Sequence, residues 1–257
     1  PRSSLTYQAM HNKSRFKKEI AHFLFYDRFV RRATAVQYLT KQEYEDSKYR
    51  FDGPHFILPN GFNTPPIVKT EFSKDKIRGI FIGRIDIHQK GLDVLLDVID
   101  DIREELTAAK FSLILYGPKL KDYYKVEEII KEKNLTDIVS LGGEILKGDK
   151  QKAILDSDVF FLTSRFEGHP MGLIEALAYG LPCIITTGSN MRPEVEANNC
   201  GWCCDFSQDG IKGALLNMIK ESHSLYTMSR NALLLASNYD WSNLAVGLNR
   251  ILSQYVH

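Results

Sequence analysis

The chain has 257 residues, of which 44% are hydrophobic and 25% are charged. These fractions are typical of a globular protein and exclude a disordered, collagen-like or low-complexity chain. Lys and Arg number 33 against 32 Asp and Glu, so the net charge of +1 argues against nucleic acid as a partner. The apolar runs are far shorter than the ~20 residues of a membrane-spanning helix, and residues 1–20 show no apolar signal-peptide core.

Residues 1–32, which we call the basic segment, carry eight Lys or Arg residues against two carboxylates. Aromatic residues are interleaved with these charges, a pattern typical of a segment lying on an anionic membrane surface; among them are Phe16, Phe23, Phe25, Tyr26 and Phe29. The same pattern also fits a solvated helix face packed on a neighbouring part of its own domain. Because the sequence begins at Pro1 without an initiator methionine or a lead-in, we expect the chain to be a fragment.

The first α/β pattern follows the basic segment. Residues 35–39 and 56–58 have the character of strands, with a helix predicted between them at residues 41–48. Residues 59–66 are rich in Pro, Asn and Gly and are predicted to be an interdomain linker. Residues 1–62 therefore represent the tail of an N-terminal α/β domain and its linker strand.

From residue 77 onward, short apolar runs rich in β-branched residues alternate with segments of helical periodicity. The strands lack polar alternation, as expected where helices cover both faces of a sheet. This order predicts βαβ units and a doubly wound parallel sheet, with a ligand outside the carboxyl ends of the strands. The predicted strands are 77–83, 111–117, 138–141, 159–164, 183–187 and 201–205, and the predicted helices are 91–106, 124–133, 149–155, 171–179 and 193–197.

The last residues, 241–257, show the periodicity of one more helix, which we expect to pack back towards the N-terminal domain. Residues 63–240 would then form a complete C-terminal α/β domain. The residues predicted to face inward on the terminal helix are Leu244, Leu248, Ile251 and Leu252.

The most informative motif follows the strand predicted at 159–164. Glu167 lies in the loop after this strand, and Glu175 lies on the helix that the loop opens. Pro170 suits the first position of that helix, whose unpaired N–H groups would favour an anion such as phosphate. Carboxylates beside a phosphate site indicate a ligand with hydroxyl groups, such as a sugar or a ribose.

A second motif runs from Gly83 to Gly91, between the first strand of the C-terminal domain and its helix. Arg84 and Lys90 would neutralise a diphosphate there, Arg with a planar fork and Lys as a point charge. The motif is not a P-loop, because Gln89 stands where that pattern requires a glycine. The chain also lacks Gly-x-Gly-x-x-Gly, which argues against a nicotinamide enzyme.

Together with the Asn-Gly turn at 60–61, these motifs resemble the retaining glycosyltransferases of family 4. The resemblance covers residues 34–257 and implies the GT-B fold, in which two Rossmann-like domains face each other and the C-terminal one binds a nucleotide-sugar donor. Upstream, residues 1–5 and a Lys pair at 17–18 resemble a stretch late in the family's N-terminal domain. Much of the family's acceptor domain is therefore expected to be absent.

The resemblance assigns Arg84 and Lys90 to the donor pyrophosphate and Glu175 to the ribose hydroxyls. Glu167, the residue assigned to catalysis, would contact the transferred sugar near the reacting carbon, a binding role rather than that of a nucleophile. The loop at 142–145 would line the base without selecting among UDP, GDP and ADP. The remaining donor-binding residues implied are Gly83, Gly117, Gly168, His169, Met171 and Gly172, with the His169 ring expected to pack.

The implied reaction is sugar transfer with retention of anomeric configuration and without a metal. The implied acceptor is a glycan or a lipid-linked glycan in cell-surface polysaccharide or other glycoconjugate synthesis. Cytoplasmic location is expected, with contact to the inner face of the membrane through the basic segment. Two other functions stay open: a non-catalytic nucleotide-sugar-binding module, and a GT-B enzyme that epimerises or hydrolyses the sugar nucleotide.

The cysteines form a separate candidate site. Cys200 and Cys203 have the spacing of a zinc or redox pair, but the sequence offers no second pair and no nearby His. Three of the four cysteines lie within five positions, which makes a poor disulfide framework and favours a reducing compartment. We therefore expect buried structural thiols around the last strand.

Overall fold

The computed structural model describes residue 20, residues 27–49 and residues 51–255. It divides into two compact units, Pro1–Gly61 with Tyr239–His257, and Phe62–Asn238. The predictions for the basic segment therefore lie largely outside the described residues, as does the family resemblance at 1–5 and 17–18.

The first unit contains a strand–helix–strand element, as the sequence predicts. Thr40 caps its helix, because the Thr40 hydroxyl accepts a hydrogen bond from the Glu43 N–H while the Glu43 carboxylate accepts one from the Leu39 N–H. The two strands pair in parallel with Val36 opposite His55. In chain order, the described elements are α1 (Asp27–Arg31), β1 (Val36–Tyr38), α2 (Lys41–Ser47) and β2 (His55–Ile57).

The second unit contains a six-stranded parallel sheet with helices between its strands. Its elements are β3 (Ile77–Ile82), α3 (Ile87–Lys90), α4 (Leu92–Asp101), α5 (Arg103–Ala108), β4 (Phe111–Tyr116), α6 (Lys121–Glu132), β5 (Val139–Gly143), α7 (Lys147–Asp156), β6 (Val159–Leu162), α8 (Met171–Ala178), β7 (Cys183–Thr186), α9 (Arg192–Asn198), β8 (Gly201–Cys204), α10 (Gln208–Lys220) and α11 (Leu225–Ser237). The strand order is β5-β4-β3-β6-β7-β8. The order reverses between β3 and β6, and ligands of doubly wound sheets bind beyond the strand ends at such a switch point.

Burial in this sheet agrees with helices on both faces. Every residue of the central strands β6 and β7 is buried, which explains why their sequences are apolar without alternation. On α4, the predicted inward face of Leu95, Leu96 and Ile99 is fully buried. All six predicted strands of this unit are present, and the prediction of a doubly wound parallel sheet is confirmed.

The predicted helix at 91–106 is wrong in one respect, because it is two helices. Ile102 leaves the helical conformation, with φ −112° and ψ 33°, between α4 and α5. Its side chain is nevertheless fully buried. The break therefore leaves the apolar periodicity intact, and a periodicity argument cannot detect it. The sequence analysis also did not predict α10 and α11, which pack Ile211, Leu215 and other apolar residues into the core.

The C-terminal helix α12 (Trp241–Leu252) belongs to the first unit. The Trp241 ring lies so close to Gly61 that a methyl group on this glycine would be 2.5 Å from it. Leu244 is buried as predicted, but the prediction for Leu252 is wrong, since it is 41% exposed. At 3.6 residues per turn, Leu252 lies about 80° around the helix from Leu244. Among the described residues, no helix is long and apolar enough to cross a bilayer.

Candidate functional site

The ends of β3, β4 and β5 are held together at one edge of the sheet by backbone contacts. The Gly83 N–H donates to the Tyr116 carbonyl at 3.0 Å, and the Gly117 N–H donates to the Gly143 carbonyl at 2.8 Å. A Cβ atom on Gly117 would lie 2.2 Å from the Gly83 carbonyl oxygen. The structure thus brings two of the predicted donor-side glycines into direct contact, at a position where a side chain does not fit.

Arg84 extends from the loop after β3 into solvent, with 57% of its side chain exposed. Its guanidinium donates to the Gln89 side-chain oxygen at 2.5 Å and lies 3.6 Å from the Asp86 carboxylate. Asp86 also caps the short helix α3 by accepting from the Gln89 N–H. Arg84 is therefore an accessible cation beside the switch point.

Lys90 and Glu167 form an ion pair across the switch point. The Lys90 Nζ donates to Glu167 Oε1 at 2.6 Å, and the Ser164 hydroxyl donates to the same oxygen at 2.5 Å. The two side chains are only 14% and 9% exposed. The sequence motifs predict that Lys90 and Glu167 serve one ligand site. In the structure the two side chains also contact each other.

The loop that carries Glu167 is held by two residues that the sequence analysis missed. The Asn190 side chain donates to the carbonyls of Glu167 and Gly168, from a left-handed backbone with φ 59°. The Arg165 guanidinium makes a bidentate pair with Asp93 at 2.9 and 2.8 Å. The turn-forming residues around Asn190 are a sequence signal for its conformation, whereas nothing in the sequence marks Arg165.

The helix α8 opens towards the same edge and begins at Met171, the first residue of the predicted range 171–179, although Pro170 does not take the first helical position. Pro170 is its N-cap, with φ −82° and ψ 82°, and Met171 is the first helical residue. The Met171 N–H donates to the His169 carbonyl at 3.0 Å. Within the described residues, the Gly172 N–H has no protein acceptor, as expected for the first turn of a helix. Of these two predicted backbone donors, Gly172 is thus the one left available to an anion.

His169 lies half-buried in the loop before α8. Burial lowers the pKa of its imidazole to about 4, because the charged form is disfavoured away from water. The ring is therefore neutral at pH 7.

Glu175 of α8 forms an ion pair with Lys150 of α7. The side chains are 17% and 27% exposed, so the pair is partly shielded from water. Lys150 follows the loop at 142–145, which the family resemblance assigns to the nucleotide base. The sequence analysis did not single out Lys150, because no spacing rule connects residues of two different helices.

The cysteines are free thiols around β7 and β8, and Cys183, Cys200 and Cys204 are buried. Burial raises the pKa of Cys200 and Cys203 to about 12 and that of Cys204 to about 11. Across the described part of the chain, no cluster of three or more His, Cys, Asp or Glu side chains is arranged to hold a metal ion. The arrangement agrees with the prediction of structural thiols.

A sequence model of the family described as glycosyl transferases group 1 matches residues 66–235. The chain belongs to this family. A protein of Escherichia coli (strain K12), provisionally named the colanic acid biosynthesis glycosyltransferase WcaL, is 29% identical over 120 residues. That alignment covers 44% of this chain and 29% of the relative.

Two solved structures share the fold of this glycosyltransferase-family chain. The sucrose-phosphate synthase of Thermosynechococcus elongatus superposes with a TM-score of 0.77 at 19% identity, covering 97% of this chain and 63% of that one. The Anabaena protein HepE, in complex with UDP and glucose, superposes with a TM-score of 0.73 at 18% identity, covering 87% and 64%. The predicted fold class, an α/β protein of GT-B type with a Rossmann-like sheet, is confirmed. The chain spans less than two thirds of the length of each of these three proteins.

Proposed function

We propose that the second unit binds the donor of a retaining glycosyltransferase of family 4, a nucleoside-diphosphate sugar. The observation that carries the proposal is that the Lys90–Glu167 pair and the exposed Arg84 lie at the strand ends of the switch point, where α8, the helix that carries Glu175, begins beside the Ile82 carbonyl. Cations and a helix N-terminus suit a diphosphate, whereas carboxylates suit hydroxyl groups. A nucleotide sugar carries both.

Each residue has a defined role in this proposal. Arg84 and Lys90 hold the pyrophosphate, and Lys90 serves both the phosphate and Glu167 because an ammonium group has three N–H donors. Glu167 binds hydroxyls of the transferred sugar, and Glu175 binds the ribose. As the bond from the anomeric carbon to the phosphate oxygen breaks and the acceptor hydroxyl oxygen bonds to that carbon, the hydroxyl proton passes to the leaving diphosphate oxygen. The cations stabilise the charge that develops on the diphosphate. The proposed transfer retains anomeric configuration and uses no metal.

The comparisons support the choice of substrates. HepE is in complex with UDP and glucose, and the Escherichia coli relative bears a name from colanic acid biosynthesis. We therefore propose a hexosyl donor on UDP, GDP or ADP and a glycan or lipid-linked acceptor in cell-surface polysaccharide or other glycoconjugate synthesis, in the cytoplasm.

Calorimetry of the 257-residue chain with UDP, GDP and ADP tests the proposal. Arg84→Ala and Lys90→Ala should each weaken binding by about 1.5–3 kcal/mol, the value of a hydrogen bond to a charged group. Arg230→Ala is the matched control, because Arg230 is an exposed Arg on α11. Unchanged affinity in both site variants, or no binding by the unmodified chain, would overturn the assignment.

A non-catalytic binding module is the second candidate, because the roles proposed for the four site side chains are all contacts with the donor. Product analysis with a bound nucleotide sugar separates the functions. Sugar transfer to an added acceptor supports the enzyme, and an epimer or free sugar formed without acceptor supports the epimerase or hydrolase. An unchanged donor supports the module.

We also propose that the basic segment contacts anionic membranes. Its described part includes the exposed side chains of Arg28, Phe29, Arg31 and Arg32. Binding to vesicles should require anionic lipid and weaken as salt increases. Arg31→Glu with Arg32→Glu should reduce it while UDP binding persists, and equal binding to neutral vesicles would contradict it.

A further inference from the structure

The two carboxylates of the candidate site differ in how they are held. Glu167 accepts hydrogen bonds from Lys90 and from Ser164, and both donors reach the same oxygen. Glu175 accepts from Lys150 through its Oε2 atom. Among the described residues, no second side chain donates to Glu175. The orientation of the Glu175 carboxylate therefore depends on Lys150, whereas Glu167 would keep one donor if its Lys were removed.

Lys150 leaves room on the carboxylate for a ligand. An ionised carboxylate has about four lone-pair sites on two oxygens, and Lys150 uses one of them. Two vicinal hydroxyls, such as those of a ribose, can donate to the remaining sites. Hydroxyl donors do not neutralise the negative charge, so the carboxylate still needs a cation when the ligand covers it.

The ion pair becomes more important as a ligand displaces water. The Glu175 side chain is already largely buried, and a bound nucleotide would exclude the remaining solvent. An unpaired carboxylate in such a place is strongly disfavoured, and it would rotate towards water. That rotation removes the acceptor geometry that a ribose requires.

We propose that Lys150 is a positioning residue for ribose recognition. It compensates the charge of Glu175 and orients the carboxylate so that it accepts both ribose hydroxyls of the donor nucleotide. This inference rests on the proposed function, in which Glu175 binds the ribose. It adds a residue from α7 that the sequence motifs do not contain.

Calorimetry of the full chain tests the inference with UDP, GDP and ADP, each compared with its 2′,3′-dideoxy analogue. Lys150→Met should weaken the best-bound ribonucleotide by about tenfold and its dideoxy analogue by less than about twofold. Lys150→Arg should restore most of the affinity. Lys152→Met is the matched control, because Lys152 is an exposed Lys on the same helix. Thermal unfolding verifies that each variant is folded.

The outcomes separate this inference from the proposed function. Glu175→Gln should abolish the preference for the ribonucleotide. If it does so while Lys150→Met leaves that preference unchanged, tightens ribonucleotide binding, or weakens both ligands equally, the role of Lys150 is overturned and the proposed function stands. If the unmodified chain binds none of the nucleotides, the proposed function is overturned and this inference with it.

Discussion

The carbonyl oxygen of Gly83 occupies the space in which a side chain at Gly117 would have to lie, since a Cβ atom there would be 2.2 Å from it. The two residues follow neighbouring strands of the switch-point edge, and Gly83 precedes Arg84 directly. A residue with a side chain at 117 would therefore displace the loop that carries a proposed phosphate ligand.

We expect Gly117→Ala to lower both the melting temperature and the affinity for UDP, GDP or ADP, because backbone must move to admit the methyl group. Gly213→Ala is the control, since no atom lies within 4 Å of the added methyl group on this glycine of α10. Replacing Gly by Ala in a helix interior should stabilise the protein by about 0.5–1 kcal/mol. Calorimetry and thermal unfolding measure both effects, and a Gly117→Ala protein with normal affinity would contradict the close-packing argument.

The Lys90–Glu167 pair should show strong energetic coupling in a double-mutant cycle. Lys90→Met leaves a nearly buried carboxylate without its cation, and such a loss costs about 3–5 kcal/mol of unfolding free energy. Because Ser164 still donates to Glu167, we expect the lower end of this range. The double variant Lys90→Met/Glu167→Gln should be less destabilised than the sum of the single variants, as measured by denaturant unfolding.

The exposed pair of Lys212 and Asp101 is the control for this cycle. Its N–O distance is 2.7 Å, similar to that of the buried pair, but both side chains are well exposed. Exposed ion pairs contribute little to stability, so Lys212→Met and Asp101→Asn should hardly shift the unfolding midpoint. Equal coupling in the two cycles would show that burial does not strengthen the Lys90–Glu167 pair.

His169 should make the fold sensitive to acid. The pKa of its ring is lowered from 6.5 to about 4, so below pH 6.5 the unfolded chain binds a proton that the folded chain does not. The neutral His169 ring therefore makes its full contribution to the unfolding free energy above about pH 7. As the pH falls towards 4, about 2–3 kcal/mol of this free energy is lost. The His169→Phe variant should lose less unfolding free energy between pH 7 and pH 4.5. Equal losses in the two proteins would contradict a buried neutral His169.

The thiols should be unreactive in the folded protein. Three of the four are buried, and burial raises the pKa of all four, so very little thiolate is present at pH 8. Titration with a thiol reagent should be slow in buffer and should reach all four cysteines in guanidinium. Cys203 is the least buried and should react first, so Cys203→Ser should remove the earliest phase. Rapid modification of Cys183 in the folded chain would contradict the packing of β7.

Local patterns in the sequence were sufficient to predict the six strands of the second unit and their parallel pairing. Apolar runs without alternation indicated β6 and β7 as strands covered on both faces, and the αβ alternation indicated parallel pairing. Helical periodicity identified the buried face of α4, because apolar residues that recur about every 3.6 positions lie on one side of a helix. The same reasoning failed at Ile102. This residue lies between two helices but is buried, so it continues the apolar repeat that a single long helix would show.

The sequence by itself determined which residue types reach the switch point, because their distance from each strand end is set along the chain. Gly83 and Arg84 directly follow β3, and Glu167 lies five residues after the end of β6, so counting residues locates them. Only the tertiary structure decided how these groups pair. The contacts of Lys90 with Glu167, of Lys150 with Glu175 and of Asn190 with the Glu167 loop join segments separated by 77, 25 and 23 residues. Such pairs arise when packing of the helices on the sheet brings distant side chains within bonding distance, and no periodicity of a single chain segment encodes them.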